Sequence, residues 1–419
     1  MEIFEEIESN VRSYCRAFPA MFQKAKGCYV FDQTGQPYLD FFSGAGALNY
    51  GHNPDPMKAR LLDYIEQDGI AHSLDMATEA KGVFLDKFNE VILKPRDMKY
   101  KVQFPGPTGT NSVESSLKLA RKITGRDKIL FFTQAFHGMT LGSLSISGNS
   151  FKRDGAGLSL TNSICMPYDS YFGNDVDTIE YMERMLESSG SGVDLPAAAI
   201  VEAVQAEGGI NSASGEWLEK LQELCKKYGM LFIVDDIQAG CGRTGTFFSF
   251  ENMNLTPDIV CLSKSISGYG LPMALCLIKP EHDKWEPGEH NGTFRGNNLA
   301  FVTATEALNF WKDSAFSREI LRKGELIKDR LENLMESFPE EISETRGRGM
   351  IQGMVFREDG LGSHISSICF ENFLLAETSG SDSDVLKLLP PLNINEEDLN
   401  KGLDIIEASL SEVAAKAMA

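Results

Sequence analysis

The chain of 419 residues is 42% hydrophobic and 24% charged, and its formal net charge is −20. This composition predicts a globular protein with room for two or three domains, and the negative charge disfavours nucleic acid and anionic membranes as partners. No apolar run reaches the roughly 18 residues that a membrane span needs, and the acidic start MEIFEEIESN lacks an apolar signal segment. We therefore expect a cytoplasmic protein.

The cysteines and histidines show no ligand or bridge spacing. None of the eight cysteines forms a CxxC pair, and Cys261 and Cys276 lie within apolar runs. This pattern is typical of reduced thiols packed in a core. The sequence therefore predicts neither a disulfide framework nor a metal site.

The segment PGPTGTNSVESSLKLARK, residues 105–122, predicts a helix that begins after a Gly-rich loop. Proline and glycine exclude regular structure before Thr110, and Asn111 and Glu114 resemble a capping box. The free N–H groups of Gly109 and Thr110 would then face an anion at the positive helix end. The alternative is an ordinary loop, since the segment matches neither GxGxxG nor a P-loop.

Five apolar runs predict buried strands between residues 128 and 280. They span 128–132, 197–204, 230–236, 258–263 and 273–278. Several are continuous rather than alternating, as in strands covered on both faces of a parallel sheet. Between two of them, Ser214 and Gly229 are the predicted caps of an amphipathic helix. Beyond residue 300 long amphipathic helices predict a second, α+β domain.

Polar residues end two of these runs. Asp235 ends one run, and Lys264 follows the next one 29 residues later. Ligands of open parallel sheets bind beyond the carboxyl ends of the strands, so Asp235 is positioned to hold a cationic ring nitrogen, with Gln238 beside it. The alternatives are a solvated turn and an exposed lysine.

Together, an anion cradle, a buried acid and a strand-end lysine meet the needs of pyridoxal 5'-phosphate. The cofactor requires a phosphate seat, a partner for its ring nitrogen and an amine that bonds to its aldehyde carbon. Phe136 is a candidate to stack on the ring, although a lone phenylalanine is more often a core residue.

Several ordered motifs resemble the class III aminotransferases of fold type I over nearly the whole chain. They are TGTNSVESSLKLAR, FHG, EAVQAEGG, DDIQAGCGRTG, PDIVCLSK and HNGTFRGN. The resemblance implies an α/β fold in which a large domain, residues 56–300, holds a mostly parallel seven-stranded sheet between helices. It also implies a smaller α+β domain built from both termini, residues 1–55 and 301–419.

The resemblance also implies roles for single residues. Lys264 would bind pyridoxal 5'-phosphate covalently, Asp235 would face its ring nitrogen, and Gln238 its phenolic oxygen. The other implied cofactor contacts are those of Phe136 over the ring, His137 beside it, Gly109 and Thr110 on the phosphate, and Thr293 on the phosphate of the partner subunit. A shared phosphate site implies a homodimer or a dimer of dimers.

Departures from the family pattern bear on the substrate. Met139 stands where some members carry a carboxylate-binding arginine, and Lys387 replaces the arginine that holds the α-carboxylate of 2-oxoglutarate and pairs with the acid matched by Glu207. Lysine lacks the bidentate fork of arginine, so the contact should be looser. Arg295 replaces a glycine, and it would either hold a carboxylate or brace a dimer.

Further segments resemble one subgroup of the family. FFSGAGALNYGH, HSLDMAT and HNGTFRGNN are similar to members that transfer the amino group of glutamate to aspartate 4-semialdehyde, giving L-2,4-diaminobutyrate for ectoine formation or for siderophores and peptide antibiotics. Ala45 and Tyr50 lie in the segment that resembles the substrate-side wall. Another amine, such as 4-aminobutyrate or ornithine, is the alternative substrate, and a decarboxylase or aminomutase on the same fold is the rival activity.

Overall fold

A computed structural model describes residues 2–417, which form a large central sheet, three smaller sheets and surrounding helices. In chain order the strands are β1 Phe22–Lys26, β2 Tyr29–Asp32, β3 Pro37–Asp40, β4 Lys101–Gln103, β5 Ile129–Phe132, β6 Ser163–Met166, β7 Ala198–Val201, β8 Val204–Gln205, β9 Asn211–Ser212, β10 Leu231–Asp235, β11 Ile259–Leu262, β12 Leu275–Ile278, β13 Ile342–Arg348, β14 Ile351–Phe356, β15 Leu374–Leu375, β16 Glu377–Ser379 and β17 Val385–Leu388.

The helices vary from single turns to more than twenty residues. In chain order they are α1 Glu2–Ile7, α2 Tyr14–Ala17, α3 Ser43–Gly46, α4 Asp55–Glu66, α5 Glu79–Phe88, α6 Gly109–Thr124, α7 Leu141–Ser145, α8 Ser150–Asp154, α9 Thr178–Glu187, α10 Gly215–Tyr228, α11 Asn298–Ala307, α12 Ala315–Ser337, α13 Leu361–Glu371 and α14 Glu396–Ala417. A π-helical turn, Asn89–Leu93, and short 3₁₀ turns at Lys94–Arg96, Lys264–Ser267, Pro280–His282 and Leu308–Trp311 complete the set.

The central sheet has seven strands in the order β4-β12-β11-β10-β7-β5-β6. All neighbouring pairs from β11 to β6 are parallel, and only β12 runs against its neighbours. Each of the five predicted runs contains a central strand, β5, β7, β10, β11 or β12, and all five strands are buried along their whole length. The predicted α/β fold with a mostly parallel seven-stranded sheet is therefore confirmed.

Two hydrophobic clusters cover the two faces of this sheet. Successive residues of β10 alternate between them: Phe232 packs in one cluster and Ile233 in the other. Helix α10 covers the first face through Leu218 and Leu221, and α6 covers the second face. This double cover explains why the strands lack the polar and apolar alternation of a half-exposed sheet.

Helix α10 has the predicted caps. The hydroxyl of Ser214 accepts a hydrogen bond from the N–H of Trp217 at 3.2 Å, and Gly229 ends the helix in the left-handed region, at φ 59°. Helices commonly begin after a residue whose side-chain hydroxyl accepts from a free backbone N–H, and they commonly end at a glycine.

The predicted capping box at the start of α6 is present and includes Asn111, but its N-cap is Thr108, so Glu114 is not part of it. The helix begins at Gly109, and Asn111 accepts a hydrogen bond from the backbone N–H of Thr108, the N-cap residue, at 3.1 Å. Glu114 instead accepts hydrogen bonds from Thr140 and from the N–H of Ser143. A neighbouring loop that offers two donors outside the helix takes the carboxylate away from the helix end.

Segments from both termini meet outside the central sheet. Strand β15 pairs in parallel with β3, with Leu374 beside Leu39, in the sheet β1-β2-β3-β15. The sheet β13-β14-β17-β16 is formed by the C-terminal third alone. The predicted domain boundaries near residues 55 and 300 stay predictions.

All eight cysteines are free thiols, and no helix within residues 2–417 has the length and apolar character needed to cross a bilayer.

Two helical glycines allow a direct test of this packing. Gly324 of α12 faces the turn between β13 and β14 so closely that a Cβ atom would lie 2.7 Å from the carbonyl oxygen of Gly349, whereas a Cβ on Gly82 of α5 would meet nothing within 4 Å. We expect Gly324→Ala to lower the free energy of unfolding by about 1–3 kcal/mol, because backbone must move. Gly82→Ala, the matched control, should raise it by about 0.5–1 kcal/mol. Denaturant unfolding measures the change in the free energy of unfolding for each variant. Equal changes in the two variants would contradict the close contact between Gly324 and Gly349.

Candidate active site

The candidate site lies beyond the carboxyl ends of four neighbouring central strands. Phe136 and His137 follow β5, Glu202 follows β7, Asp235 ends β10 and Lys264 follows β11. Parallel strands end at one edge of a sheet, and ligands of open α/β sheets bind there. The sequence prediction that Asp235 and Lys264 follow adjacent strands is confirmed, since β10 and β11 are paired.

Asp235 is a buried carboxylate with two fixed hydrogen bonds. Only 4% of the residue is exposed, its Oδ2 lies 2.6 Å from Nδ1 of His137, and its Oδ1 accepts from the N–H of Ile237 at 3.2 Å. The other ring nitrogen of His137, Nε2, is buried without a hydrogen-bond partner within the described chain. The His137 ring therefore fixes the orientation of the carboxylate and has one polar atom left for a ligand.

Lys264 enters the site in a strained backbone conformation. Its φ is 53°, in the left-handed region that costs a residue other than glycine on the order of 1 kcal/mol. Its ammonium donates a hydrogen bond to the carbonyl oxygen of Ala45 at 2.9 Å. Burial lowers the pKa of Lys264, against the opposing charge of Glu207. A larger share of the amine is therefore neutral than in water, as a nucleophile or a base requires.

The acceptor for Lys264 comes from a left-handed turn, Ser43–Gly46. All four residues have positive φ, from 48° at Ser43 to 83° at Gly46, so the chain reverses and presents carbonyl oxygens to the site. The side chain of Ser265 donates to the carbonyl of Gly46 at 2.7 Å and so joins the turn to the segment that carries Lys264.

Gln238 shares this acceptor. Its Nε2 donates to the carbonyl of Ala45 at 2.7 Å and to Oε1 of Glu207 at 3.0 Å, and its own Oε1 is buried without a partner in the described part of the chain. The predicted role as a donor to a phenolic oxygen therefore requires the amide to turn from one of its present acceptors.

Lys387 lies fully buried between two carboxylates. Its Nζ is 2.6 Å from Oε1 of Glu207 and 2.8 Å from Oε1 of Glu377, and the contact with Glu207 is the well-directed hydrogen bond. Burial alone would lower the pKa of Lys387, but the two carboxylates raise it above the ordinary value. Burial would likewise raise the pKa of Glu207, but Lys387 and Lys264 bring it down to about 2. The predicted Lys387 and Glu207 pair is thus a buried ion pair at neutral pH.

Helix α6 points its N-terminus at the same region. The hydroxyl of Thr110 is 2.6 Å from that of Thr140 and 2.8 Å from that of Ser143. A Cβ on Gly109 would lie 3.0 Å from the side chain of Ile237, two residues beyond Asp235, so the helix start packs directly on the strand end. The positive end of a helix of sixteen residues, lined by hydroxyl groups, suits a bound anion.

Three predicted site residues make their contacts elsewhere in the single chain. Tyr50 is buried among aromatic rings, and its hydroxyl accepts a hydrogen bond from Trp311 at 2.8 Å. Thr293 is exposed, and its carbonyl lies 2.8 Å from Nε2 of His72. Arg295 forms an ion pair with Asp75 at 2.8 Å, beside a cavity of about 330 Å³. The roles predicted for these residues stay predictions.

Sequence reasoning missed two acids. Glu202 is buried and accepts a hydrogen bond from the N–H of Phe136 at 2.9 Å; burial and the nearby Asp235 raise its pKa well above the ordinary value. Glu377 lies opposite Lys387 in the pairing of β16 with β17. The position of Glu202 after an apolar run was a usable signal, whereas Glu377 had none, because its role depends on a pairing between short strands.

Comparisons with known proteins agree with this geometry. The family model of class-III aminotransferases matches residues 12–410. A diaminobutyrate–2-oxoglutarate transaminase from Halalkalibacterium halodurans is 59% identical over 98% of this chain and 96% of the relative, and one from Virgibacillus pantothenticus is 58% identical over 99% of this chain and 100% of the relative. The crystal structure of the ornithine aminotransferase from Toxoplasma gondii superimposes with a TM-score of 0.86 at 26% identity, covering 99% of this chain and 95% of that one.

The chain belongs to the class-III aminotransferase family. It is therefore an enzyme that transfers amino groups between small molecules. The predicted family is confirmed.

Asp236 lies beside the site, and the pH dependence of stability tests the effect of burial on its carboxyl group. Burial raises the pKa of this carboxyl to about 7, although the N–H of Ser249 lies 3.1 Å from it. Between about pH 4 and 7 the folded protein thus holds a proton that the unfolded chain releases, so stability falls as the pH rises through this window. Asp236→Asn removes the dependence and should stabilise the protein by on the order of 2 kcal/mol more at pH 8 than at pH 5.

The control for this prediction is Asp175→Asn, which alters an exposed acid. Denaturant unfolding at the two pH values should give the control the same pH dependence as the unchanged protein. If Asp236→Asn keeps the same pH dependence as the unchanged protein, the Asp236 carboxyl does not titrate between pH 5 and pH 8, and the prediction is contradicted.

Proposed function

We propose that this enzyme uses pyridoxal 5'-phosphate to transfer the amino group of L-glutamate to L-aspartate 4-semialdehyde, forming L-2,4-diaminobutyrate and 2-oxoglutarate. The observation that carries the proposal is the approach of a buried carboxylate, Asp235, and an amine of lowered pKa, Lys264, from adjacent strand ends. Relatives named diaminobutyrate–2-oxoglutarate transaminases, 54–59% identical over nearly the full chain, support this choice of substrates. Use of the product in ectoine formation stays a prediction.

The unpartnered polar atoms of the site fit the cofactor. Nε2 of His137 and Oε1 of Gln238 are buried without hydrogen-bond partners in the described residues, beside a carboxylate and a lysine. Buried polar atoms without partners are costly unless a ligand satisfies them. A related crystal structure, the ornithine aminotransferase from Toxoplasma gondii at 25% identity, reports partial occupancy of PLP at its active site.

When bound, pyridoxal 5'-phosphate supplies a carbonyl carbon that joins amines and a ring that accepts electrons. Lys264 would hold the cofactor, and its Nζ, when free, would take the proton from the substrate carbon. Asp235, oriented by His137, would stabilise a positive charge on the ring nitrogen. Phe136 would cover the ring, and Gly109 and Thr110 at the start of α6 would receive the phosphate.

In our proposal Glu207 and Lys387 determine whether the site binds the α-carboxylate of a substrate. Glutamate reacts at a carbon that bears a carboxylate, whereas the semialdehyde reacts at a carbon that bears none. In our proposal Lys387 binds the α-carboxylate of glutamate when Glu207 moves aside, and the pair closes again for the semialdehyde. Glu377 keeps a counter-charge within 2.8 Å of Lys387 throughout. Ala45 contributes its carbonyl oxygen to the closed arrangement.

The first test of this function follows the visible absorption of the purified protein with added pyridoxal 5'-phosphate. L-Glutamate should bleach the band of the lysine-bound cofactor, and aspartate 4-semialdehyde should restore it with release of L-2,4-diaminobutyrate. Lys264→Ala should lack the band and lose more than 99.9% of the activity, since both the covalent bond and the mobile base are missing. Lys279→Ala, outside the site, should behave as the unchanged enzyme. If only 4-aminobutyrate or ornithine bleaches the band, the assignment of L-glutamate and aspartate 4-semialdehyde as substrates is wrong.

A homodimer in which Thr293 reaches the phosphate of the partner subunit is also part of the proposal. Supporting it, large apolar side chains are exposed beside Thr293 and in the segment 70–76, which contacts Thr293 through His72: 54% of Ile70, 60% of Met76 and 68% of Phe294. Such a group of apolar side chains is typical of a protein interface.

Mixed dimers test this shared site. A dimer of one Lys264→Ala and one Thr293→Ala subunit contains one site with both residues and one site with neither. We expect the two inactive or weakened parents, refolded together in equal amounts, to regain up to about a quarter of the specific activity, because half of the dimers are then mixed and each mixed dimer has one complete site. The same fraction of sites should have the original cofactor affinity. Activity that stays at the mean of the two parents would show that Thr293 acts in its own subunit or not at all.

A further inference from the structure

The substrates of the proposed reaction share a feature that the site described so far does not satisfy. In L-2,4-diaminobutyrate the carbon that exchanges its nitrogen is separated from the carboxylate by two carbons. In L-glutamate the reacting carbon is separated from the distal carboxylate by two carbons as well. One cation at a fixed distance from the reacting carbon can therefore bind both substrates.

Three other cations of this region, Lys387, Arg295 and Arg243, are engaged in other contacts. Lys387 lies between two carboxylates, and Arg295 is paired with Asp75. Arg243 is fully buried, with bonds to Asn49 and to backbone carbonyl oxygens. Met139, exposed in the loop after β5, carries no charge.

Lys152 of α8 is a further cation near the site, and it forms no ion pair within the described residues. Its ammonium lies 4.1 Å from the ring centroid of Phe136. Phe136 itself is held at the strand ends, because its N–H donates to Glu202 and the next residue, His137, binds Asp235. The lysine is thus half-buried beside a ring at the site, without a counter-ion.

The segment that carries Lys152 is firmly anchored. Nη1 of Arg153 lies within 3.2 Å of the carbonyl oxygens of Leu144, Ser145 and Ser147, and the side chain of Asn149 caps α8 by accepting from the N–H of Lys152 at 3.0 Å. The lysine is therefore held near Phe136 by its backbone, and its side chain has the rotatable four-carbon stem of any lysine. An aromatic face stabilises the ammonium in the absence of a ligand without neutralising it.

We propose that Lys152 binds the substrate carboxylate that lies two carbons from the reacting carbon, and so determines specificity for diaminobutyrate and glutamate over simple amines. The inference rests on the proposed function. Lys152 supplies the positive charge that Met139 does not, and its flexible side chain leaves the Phe136 face for the carboxylate. It acts on substrate binding and leaves the chemistry to Lys264.

The test compares two diamines that differ only in the carboxylate. 1,3-Diaminopropane is L-2,4-diaminobutyrate without its carboxylate, and both are assayed in the reverse direction with 2-oxoglutarate and the cofactor-loaded enzyme. Lys152→Met should raise the KM for diaminobutyrate about tenfold or more and leave the KM for 1,3-diaminopropane unchanged, since a charge-assisted hydrogen bond is lost. The KM for glutamate should rise in the forward direction. Lys152→Arg should restore most of the preference.

Two further variants make the outcome unambiguous. Lys152→Glu should raise the KM for diaminobutyrate and lower that for 1,3-diaminopropane, a gain that misfolding cannot produce. Lys118→Met removes another lysine from an aromatic face, that of Trp285, and should change neither value. If the ratio of the two KM values stays the same in Lys152→Met and Lys152→Glu, the inference is overturned while the proposed function stands. If the unchanged enzyme accepts neither diamine but transfers amino groups from other donors, the proposed function fails and the inference with it.

Discussion

The convergence of strand ends at one edge of the central sheet is the constraint on which the rest of the site depends. Six of the seven strands run in one direction, so β5, β7, β10 and β11 end side by side. The residue that ends or follows each strand consequently faces the same crevice, and a carboxylate and a lysine 29 residues apart in the chain become neighbours. The hydrophobic clusters on both faces keep these strands in register and thereby fix the polar residues at their ends.

Charge compensation organises the interior of this crevice. Asp235 is oriented by His137, Lys264 donates to a carbonyl of a left-handed turn, and Lys387 is held between two acids. A buried charge without a partner is costly, so these contacts stabilise the charged groups of the crevice. The buried atoms left without partners in the described residues include Nε2 of His137 and Oε1 of Gln238, which a polar ligand would satisfy in our proposal.

Much of the fold and part of the site could be predicted from the sequence. Continuous apolar runs gave the five central strands, Ser214 and Gly229 gave the ends of α10, and the polar residues after those runs gave the strand-end site. These signals are local, so a single sequence contains them. The role of Thr293 came from family resemblance alone, and that of Phe136 had only a weak signal besides the resemblance; both remain predictions.

Other features depend on contacts distant in the chain and left no local signal. The two edge strands β4 and β6 are only partly buried, and neither is a continuous apolar run. Glu114 was assigned to a helix cap although the segment after β5 binds it. Glu377 meets Lys387 only through the pairing of β16 with β17. The oxygen of Ala45 that accepts from Lys264 and Gln238 belongs to the backbone, so the residue type at this position does not predict it.

The proposed transfer of the amino group from glutamate to the semialdehyde can be followed directly by labelling its nitrogen atom. L-Glutamate labelled with ¹⁵N at its amino group is incubated with aspartate 4-semialdehyde and the cofactor-loaded enzyme, and the product is examined by ¹⁵N NMR. We predict L-2,4-diaminobutyrate with the label on the C4 nitrogen alone and unlabelled nitrogen at C2. Label at C2, or consumption of glutamate without labelled diaminobutyrate, would contradict it.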